Sequence, residues 1–241
     1  MNAIVIIPTY NERENIPALV EQLLRHDAVR VLVVDDQSPD GTGEVADRLA
    51  LQHPGRVDVL HRTANRGFGR SYVDGIKRAI AGGADLICQM DADFSHDPAR
   101  LPALLAAAAD ADVVIGSRYV PGGSVINWRK RRRLLSRFAN LYVRAITHVA
   151  ANDCTSGYRC WRRAALESLP LDDFVSDGYS FLVEMLFIAA RQGRRIVEIP
   201  ITYVERREGQ SKMSRAVILE SAITPWRLVA SPRRARPTAV R

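Results

Sequence analysis

Residues 3–36 read AIVIIPTYNERENIPALVEQLLRHDAVRVLVVDD. Two aliphatic, β-branched runs, 3–7 and 29–34, flank a helical segment at 15–25. Apolar strands on either side of an amphipathic helix predict a parallel β-α-β unit whose sheet is covered on both faces. The pattern then repeats. Further strand-like runs lie at 57–60, 85–90 and 113–115, with helical segments at 43–52, 69–81 and 98–109 between them. The last helix has Asp97 placed as an N-cap and Pro98 at its first position. The expectation is an α/β fold, a Rossmann-like three-layer sandwich with a mostly parallel central sheet. Ligands bind such sheets beyond the carboxyl ends of the strands. Pro8, Thr9, Tyr10, Asn11 and Glu12 after strand one, Asp35 and Asp36 after strand two, and Asp91, Ala92 and Asp93 after strand four should therefore converge on one rim.

The second half has a different texture. Residues 119–133 are basic and contain Gly122-Gly123, which reads as a mobile loop. Residues 134–151 place Leu134, Leu135, Phe138, Leu141, Tyr142, Ala145, Ile146 and Val149 on one helical stripe. A helix at 179–192, strands at 195–199 and 201–204, and an amphipathic helix at 214–229 carrying Trp226 should come next. The expected organisation is one α/β domain at 1–213, a C-terminal amphipathic helix at 214–230 and a basic disordered tail at 231–241.

Across 241 residues, 34 Lys+Arg face 27 Asp+Glu, a formal charge of +7. Five of those positive charges lie in Arg129-Lys130-Arg131-Arg132-Arg133 and four in 231–241, and without these nine the balance is 25 against 27. The basicity is two local features, so nucleic-acid binding is not expected. Cys88, Cys154 and Cys160 are odd in number and lack metal or redox spacing, which fits a reducing cytoplasmic setting. The opening MNAIVIIPTYNE turns polar too soon for a signal peptide, and the apolar stretches 179–190 and 216–229 are too short and interrupted to span a bilayer.

The acidic rim carries the chemistry. Asp35-Asp36 and Asp91-Ala92-Asp93 bring up to four carboxylates to one sheet edge, where they would repel one another. A divalent cation, Mg²⁺ or Mn²⁺ bridging a diphosphate, resolves that conflict; the alternative is that Asp35 and Asp91 accept backbone N–H bonds. Tyr10 offers a ring for stacking and Glu12 an acceptor for a base edge, although Asn11 or Glu12 could equally start the next helix. No G-x-G-x-x-G comes after the first strand, and no Walker sequence occurs. Phosphates would then be held by a metal and by Arg118, Arg206 or Lys212, each of which could instead be a solvated charge. Asp153-Cys154-Thr155-Ser156-Gly157-Tyr158-Arg159 reads either as a sugar or phosphate pocket or as a turn. No Ser-His-Asp or Cys-His arrangement is legible.

Taken together, IIPTYNE, VVDDQSPDGTG, MDADFSHDP, GSRY, DCTSGYR and VERREGQSK resemble the family 2 inverting glycosyltransferases of GT-A fold, and within them the dolichyl- or polyprenyl-phosphate mannose synthases. The resemblance spans about residues 3–215. It implies transfer of mannose from GDP-mannose to a polyprenyl monophosphate with Mg²⁺ or Mn²⁺. Pro8, Tyr10, Glu12, Val34 and Asp36 match guanosine-binding positions, and Asp91, Ala92 and Asp93 match the DAD motif, whose last Asp holds the metal. Arg118, Arg206 and Lys212 match residues on the donor phosphates or sugar. Some members carry Gln two positions after DAD as a further metal ligand; this chain has Ser95. An acceptor-loop arginine falls within 129–133, with Arg131 the chosen match. The alternatives are a UDP-sugar-dependent enzyme acting on the same lipid, or a non-catalytic membrane adaptor. The expected partners include the membrane surface, met from the cytoplasmic side with the stripe at 134–151 either in the headgroups or packed on the sheet, and, as a further candidate, a membrane-anchored subunit.

Overall fold

The structure is a computed structural model, and it describes residues 2–63, 66–174, 176, 178–205 and 215–231. Strands β1 (Ala3–Thr9), β2 (Val29–Asp35) and β3 (Val57–His61) are linked by helices α1 (Ile16–Leu24) and α2 (Thr42–Gln52). Helix α3 (Phe68–Ala81) leads to β4 (Leu86–Gln89), and a 3-10 turn (Pro98–Arg100) runs into α4 (Leu101–Ala107) and β5 (Val113–Ser117). Asp97 accepts a bond from the Ala99 amide at 2.9 Å, the expected N-cap. The segment read as one helix at 98–109 is therefore a 3-10 turn continued by two turns of α-helix.

Why these strands lie in the middle of the molecule is visible in β1. Ile4 and Ile6 belong to one apolar core, with Tyr72 and Ile76 of α3. Ala3, Val5 and Ile7 belong to the other, with Leu19 of α1 and Leu104 of α4. Successive side chains of a strand point to opposite faces, so a continuous apolar run fills two cores at once. Helix α3 approaches the sheet closely at Gly75, where a Cβ would lie 2.8 Å from Ile6 Cγ2 and 3.0 Å from Val34 Cγ2.

Beyond β5 come β6 (Ser124–Ile126), α5 (Lys130–Thr147), β7 (Arg159–Arg162), α6 (Arg163–Glu167), α7 (Gly178–Arg191), β8 (Ile196–Pro200), β9 (Thr202–Val204) and α8 (Arg215–Ala230). The main sheet has the order β3-β2-β1-β4-β7-β5-β8, with β6 and β9 paired separately. Every pairing in the main sheet is parallel except those of β7, which runs antiparallel to both β4 and β5.

Two expectations need correction. Residues 119–133 are not one loop: they contain β6, and the basic run supplies the first turn of α5. Only the end of the stripe at 134–151 packs on the core beside the sheet, where Val149 is buried. Leu134, Leu135, Phe138 and Leu141 are 51–65% exposed, and within α5 only Asn140, Val143 and Thr147 are buried. Tyr142 donates to the Ala222 carbonyl (2.8 Å) and accepts from the Trp226 indole (2.8 Å), tying α5 to α8. Among the described residues no helix is long and apolar enough to cross a membrane. The expected tail falls almost wholly outside the described residues, which end at Ser231.

Candidate active site

The rim forms where β1, β2 and β4 end, and the backbone there is strained. Asn11, Gln37 and Phe94, shortly after those three strands, have φ values of 61°, 60° and 57°. Left-handed backbone in non-glycine residues costs about 1–3 kcal/mol each and persists where the surroundings over-determine it, commonly at ligand sites. At Phe94 the effect is local and clear: the turn brings the Ser95 amide to Asp93 Oδ1 at 3.0 Å.

On the β1–β2 side, Pro8 lies level with Val34 and Thr9 with Asp35. Tyr10 and Glu12 are half-buried just beyond. The Glu12 carbonyl accepts the amides of Asn15 and Ile16, so Glu12 does start the helical turn. Its side chain accepts from Asn15 Nδ2 at 2.8 Å. The Arg66 guanidinium sits 4.9 Å from the Tyr10 ring centroid and donates to its hydroxyl at 3.0 Å.

The charge of Asp36 is met within the protein. Arg62 Nη1 donates to Asp36 Oδ1 at 2.5 Å while its Nε donates to Asp74 at 2.7 Å. The Gly67 amide also donates to Asp36, at 2.8 Å. Asp35 accepts from the Ser38 amide and the Thr9 hydroxyl, both at 3.3 Å. The four carboxylates therefore do not share one cation: among the described residues no three His, Cys, Asp or Glu side chains group as a metal site. The other two carboxylates of the rim, Asp91 and Asp93, lie after β4 with Ser95 close in sequence.

Asp93 and Ser95 are 4% and 1% exposed. The Ser95 hydroxyl oxygen is buried with no hydrogen-bond partner among the described residues. A buried hydroxyl left in that state costs roughly 1–3 kcal/mol, which a ligand would recover. Beside it, Gly157 keeps a side chain away from Asp91: a Cβ there would come within 3.6 Å of the carboxylate. The donor set, hard oxygen with room beside it, suits Mg²⁺ or Mn²⁺. His96 holds the segment in place. Its Nδ1 accepts from the Asp91 amide at 3.3 Å, and its ring stacks on Tyr158 and meets Tyr203 edge-on.

On the other side of β7, Arg118 comes directly after β5. Its Nε and Nη2 form a fork on Asp153, at 2.7 and 2.6 Å, and Nη2 also reaches Thr155 at 2.8 Å. Both members of the pair are buried. Burial alone would lower the guanidinium's pKa, yet the Asp153 charge raises it above the usual arginine range. Burial likewise pushes Asp153 upward, but Arg118 outweighs it and holds the carboxyl below its ordinary value. Glu198 of β8 accepts the amides of Asn152 and Asp153 at 2.7 and 2.9 Å, fixing the loop that carries the carboxylate. Arg159, fully buried, donates to the carbonyls of Ser156, Leu182 and Cys154 at 2.7–2.8 Å and pins its far end. The stretch Asp153 to Arg159, open between pocket and turn from sequence, thus supplies the partner of Arg118.

Arg118 also lines an apolar groove of about 350 Å³ between α5 and α8, together with Leu135, Phe138, Tyr142, Val183 and Pro225. Trp128 and Arg132 line it too: the Arg132 guanidinium lies 4.3 Å from the Trp128 ring centroid and pairs with Glu205 at 2.6 Å. The Trp128 indole N–H is buried without a hydrogen-bond partner among the described residues. Tyr203 joins the two halves of the site, because its ring meets His96 on the Asp91 side and Trp128 and Arg118 on the groove side.

The structure therefore brings Asp91, Ala92, Asp93, Ser95 and Arg118 to one region, with Pro8, Tyr10, Glu12, Val34 and Asp36 along the same rim. Arg131 is exposed, and it is Arg132 that reaches the groove. Arg206 and Lys212 lie outside the described residues. Sequence reasoning missed Arg62, Asp74, His96, Trp128, Glu198 and Tyr72, whose hydroxyl is buried and, with Asp91 and Asp93 nearby, raised well above the usual phenol range. Two of these carried a usable signal, since His96 lies inside SHDP and Trp128 directly precedes the basic run.

Gly123 offers a test of how tightly Arg118 is held. A Cβ there would meet Ser117 O at 2.7 Å and Arg118 C and O at 2.8 and 2.9 Å, all backbone atoms. Gly123→Ala is expected to destabilise by about 1–3 kcal/mol and displace Arg118; an unchanged melting temperature counts against this.

A family model described as Glycosyl transferase family 2 matches residues 4–169. The chain belongs to this family. As a family 2 glycosyltransferase it is 47% identical over 235 residues to the undecaprenyl-phosphate mannosyltransferase of Micrococcus luteus, covering 95% of this chain and 96% of that one. It is 49% identical over 222 residues to the polyprenol monophosphomannose synthase of Mycolicibacterium smegmatis, covering 90% and 83%. Among solved structures it is similar to glucosyl-3-phosphoglycerate synthase from Mycobacterium tuberculosis in complex with phosphoglyceric acid (TM-score 0.70, 18% identity, 93% of this chain and 79% of that one). The same synthase has been solved with Mn²⁺, UDP-glucose and phosphoglyceric acid (TM-score 0.69, 19% identity, with the same coverage). The fold is GT-A, as expected from the sequence.

Proposed function

We propose that this glycosyltransferase moves mannose from GDP-mannose to a polyprenyl monophosphate, releasing GDP and leaving the mannosyl phosphate with inverted, β configuration. The observation that carries this reading is the groove: arginines and a buried indole N–H among otherwise apolar lining, with Tyr203 linking them to the segment after β4 through His96. The names of the two relatives support the same acceptor class and the same sugar.

On the donor side, Tyr10 and Glu12 would take the guanine, with Asp36 held ready by Arg62. Asp93, with Asp91 and Ser95, would hold Mg²⁺ or Mn²⁺, an assignment supported by the orphaned Ser95 hydroxyl and by the Mn²⁺ complex of the structural relative. When bound, such an ion supplies Lewis-acid compensation for charge on the departing diphosphate. On the acceptor side, Nη1 of Arg118 makes no hydrogen bond among the described residues, because Asp153 and Thr155 take only Nε and Nη2. That edge, Arg132 and Trp128 Nε1 would orient the lipid phosphate. A phosphate monoester is largely dianionic near neutral pH, so its oxygen attacks the anomeric carbon without a protein base. Alignment and charge compensation carry the reaction.

The test is transfer of radiolabelled sugar into organic-extractable lipid from GDP-mannose, GDP-glucose and UDP-glucose, with and without EDTA. GDP-mannose alone should support it, and only without chelator. Activity confined to UDP-glucose overturns the donor.

The exposed face of α5 and α8 extends the reading to the membrane surface. Leu134, Phe138, Leu141, Trp226 and Val229 are 51–65% exposed, with Arg131, Arg133, Arg137 and Arg227 exposed alongside. Apolar side chains flanked by arginine suit the headgroup region of an anionic bilayer. We assign that face to peripheral docking from the cytoplasmic side. Each large side chain fully buried is worth about 1.5–3 kcal/mol, so Leu134→Glu with Leu141→Glu, both exposed and outside the groove, should abolish co-flotation with phosphatidylglycerol vesicles and leave the melting temperature unchanged. Flotation that survives in the double variant, or that needs an added membrane protein, overturns this assignment.

A further inference from the structure

We infer that the protein reads only the phosphate and about the first three isoprene units of its acceptor, the rest of the prenol never touching protein. This rests on the polyprenyl-phosphate proposal and adds a length to it.

The groove joins a small group of cationic and N–H donors to a mostly apolar lining. Arg118, Trp128 and Arg132 supply its cations and N–H groups, and Leu135, Phe138, Tyr142, Val183 and Pro225 its apolar lining, of which Leu135 and Phe138 are the exposed members. A phosphate seated at the arginines therefore directs its own chain between α5 and α8. The groove offers about 350 Å³. At the packing density of protein interiors an aliphatic carbon occupies roughly 25 Å³, and a five-carbon isoprene unit about 110–125 Å³. About three units fill the space.

The outer limit of the groove is equally plain. Phe138 and Leu135, which form part of its wall, are 63% and 51% exposed, and their neighbours Leu134 and Leu141 lie wholly on the outer surface at 65% and 63%. A fourth unit would emerge onto the apolar face of α5 and α8, where its surroundings are lipid. Moving a hydrocarbon unit from lipid to lipid yields no free energy, so added length beyond the groove gives neither affinity nor alignment. Units inside it do both: they hold the phosphate oxygen at a fixed depth, and misplacement of a reacting atom by an ångström is costly in rate.

The experiment measures mannosyl transfer to monophosphates of prenols with one, two, three, four and eleven isoprene units, in one detergent at equal mole fraction in the micelle. From one unit to three the efficiency should rise at least about tenfold, as apolar area enters the groove. From four units to eleven it should stay flat within about twofold, the added units meeting only detergent. A groove-filling Val183→Phe variant should raise the KM for the three-unit and eleven-unit acceptors alike, leaving the KM for GDP-mannose unchanged. Efficiency that keeps climbing between four and eleven units overturns the inference, as does a one-unit acceptor that matches three. If no prenyl phosphate of any length accepts mannose while the donor still binds, the acceptor reading itself fails and the length limit falls with it.

Discussion

Asp93→Asn is expected to lower mannosyl transfer by roughly 10²- to 10³-fold or more, the range lost when one element of charge stabilisation is removed from a transition state. The substitution is nearly isosteric. Asn retains an Oδ1 to accept the Ser95 amide, the 3.0 Å bond that shapes the turn after β4. The fold should be kept, and the melting temperature with it. The loss is one negative charge, 4% exposed, beside a buried serine hydroxyl that has no partner among the described residues. Two measurements decide the matter: transfer of label into lipid, and Mn²⁺ titrated against the protein with GDP present. Transfer within tenfold of the parent overturns the role given to Asp93. Unchanged Mn²⁺ affinity with lost transfer would place the cation elsewhere.

Asp153→Asn has the second large expected effect, and it falls on stability. Breaking a buried ion pair by removing one partner costs about 3–5 kcal/mol, because the remaining charge is left uncompensated. For a chain of this size that is a fall of about 6–20 °C in melting temperature. Arg118→Met combined with Asp153→Leu should recover most of it, since buried pairs are often replaced by apolar residues at little cost. Activity should stay lost in both variants, which separates the stability of the pair from its function. The pH dependence has a definite sign. Asp153 is held below the ordinary carboxylate value, so its contribution is complete above that value and disappears as pH falls through the lowered one. Acid unfolding of the parent should therefore contain a component that Arg118→Met with Asp153→Leu lacks. Identical acid midpoints would sink this account.

The first half of the fold was legible because its strands are buried on both faces. Residues 3–7 and 29–34 read as continuous apolar runs, and β1 and β2 extend only one or two residues beyond them. Strand β7 was not legible: Arg159-Cys160-Trp161-Arg162 has arginine at both ends, and the carbonyls met by Arg159, with the Asp153 charge nearby, make its burial tolerable. The start of α5 was hidden for a related reason. Five consecutive cations read as a solvated loop, and the contacts that favour helix there, Arg132 with Glu205 and Arg133 with the Val125 carbonyl, come from β6 and the end of β9, distant in sequence or across a turn. At the site, Asp91 and Asp93 stood out through their strand-end placement. Arg62, which answers Asp36, did not, because one arginine after one strand among 31 carries no local signal.

The reversed strand also dictates an order of assembly. The strands β1, β2 and β3 are each joined to the next by one short helix and can pair as the chain leaves the ribosome. Strand β4 then presents Leu86, Ile87 and Cys88 on an edge whose partner, β7, is made only after α5 is complete. Such an edge invites pairing with other chains while it waits. When β7 arrives it closes β4 against β5 and carries in Asp153 beside Arg118 in the same step. The nascent chain thus closes its main sheet late, and the buried Arg118–Asp153 pair forms only as that one gap is filled.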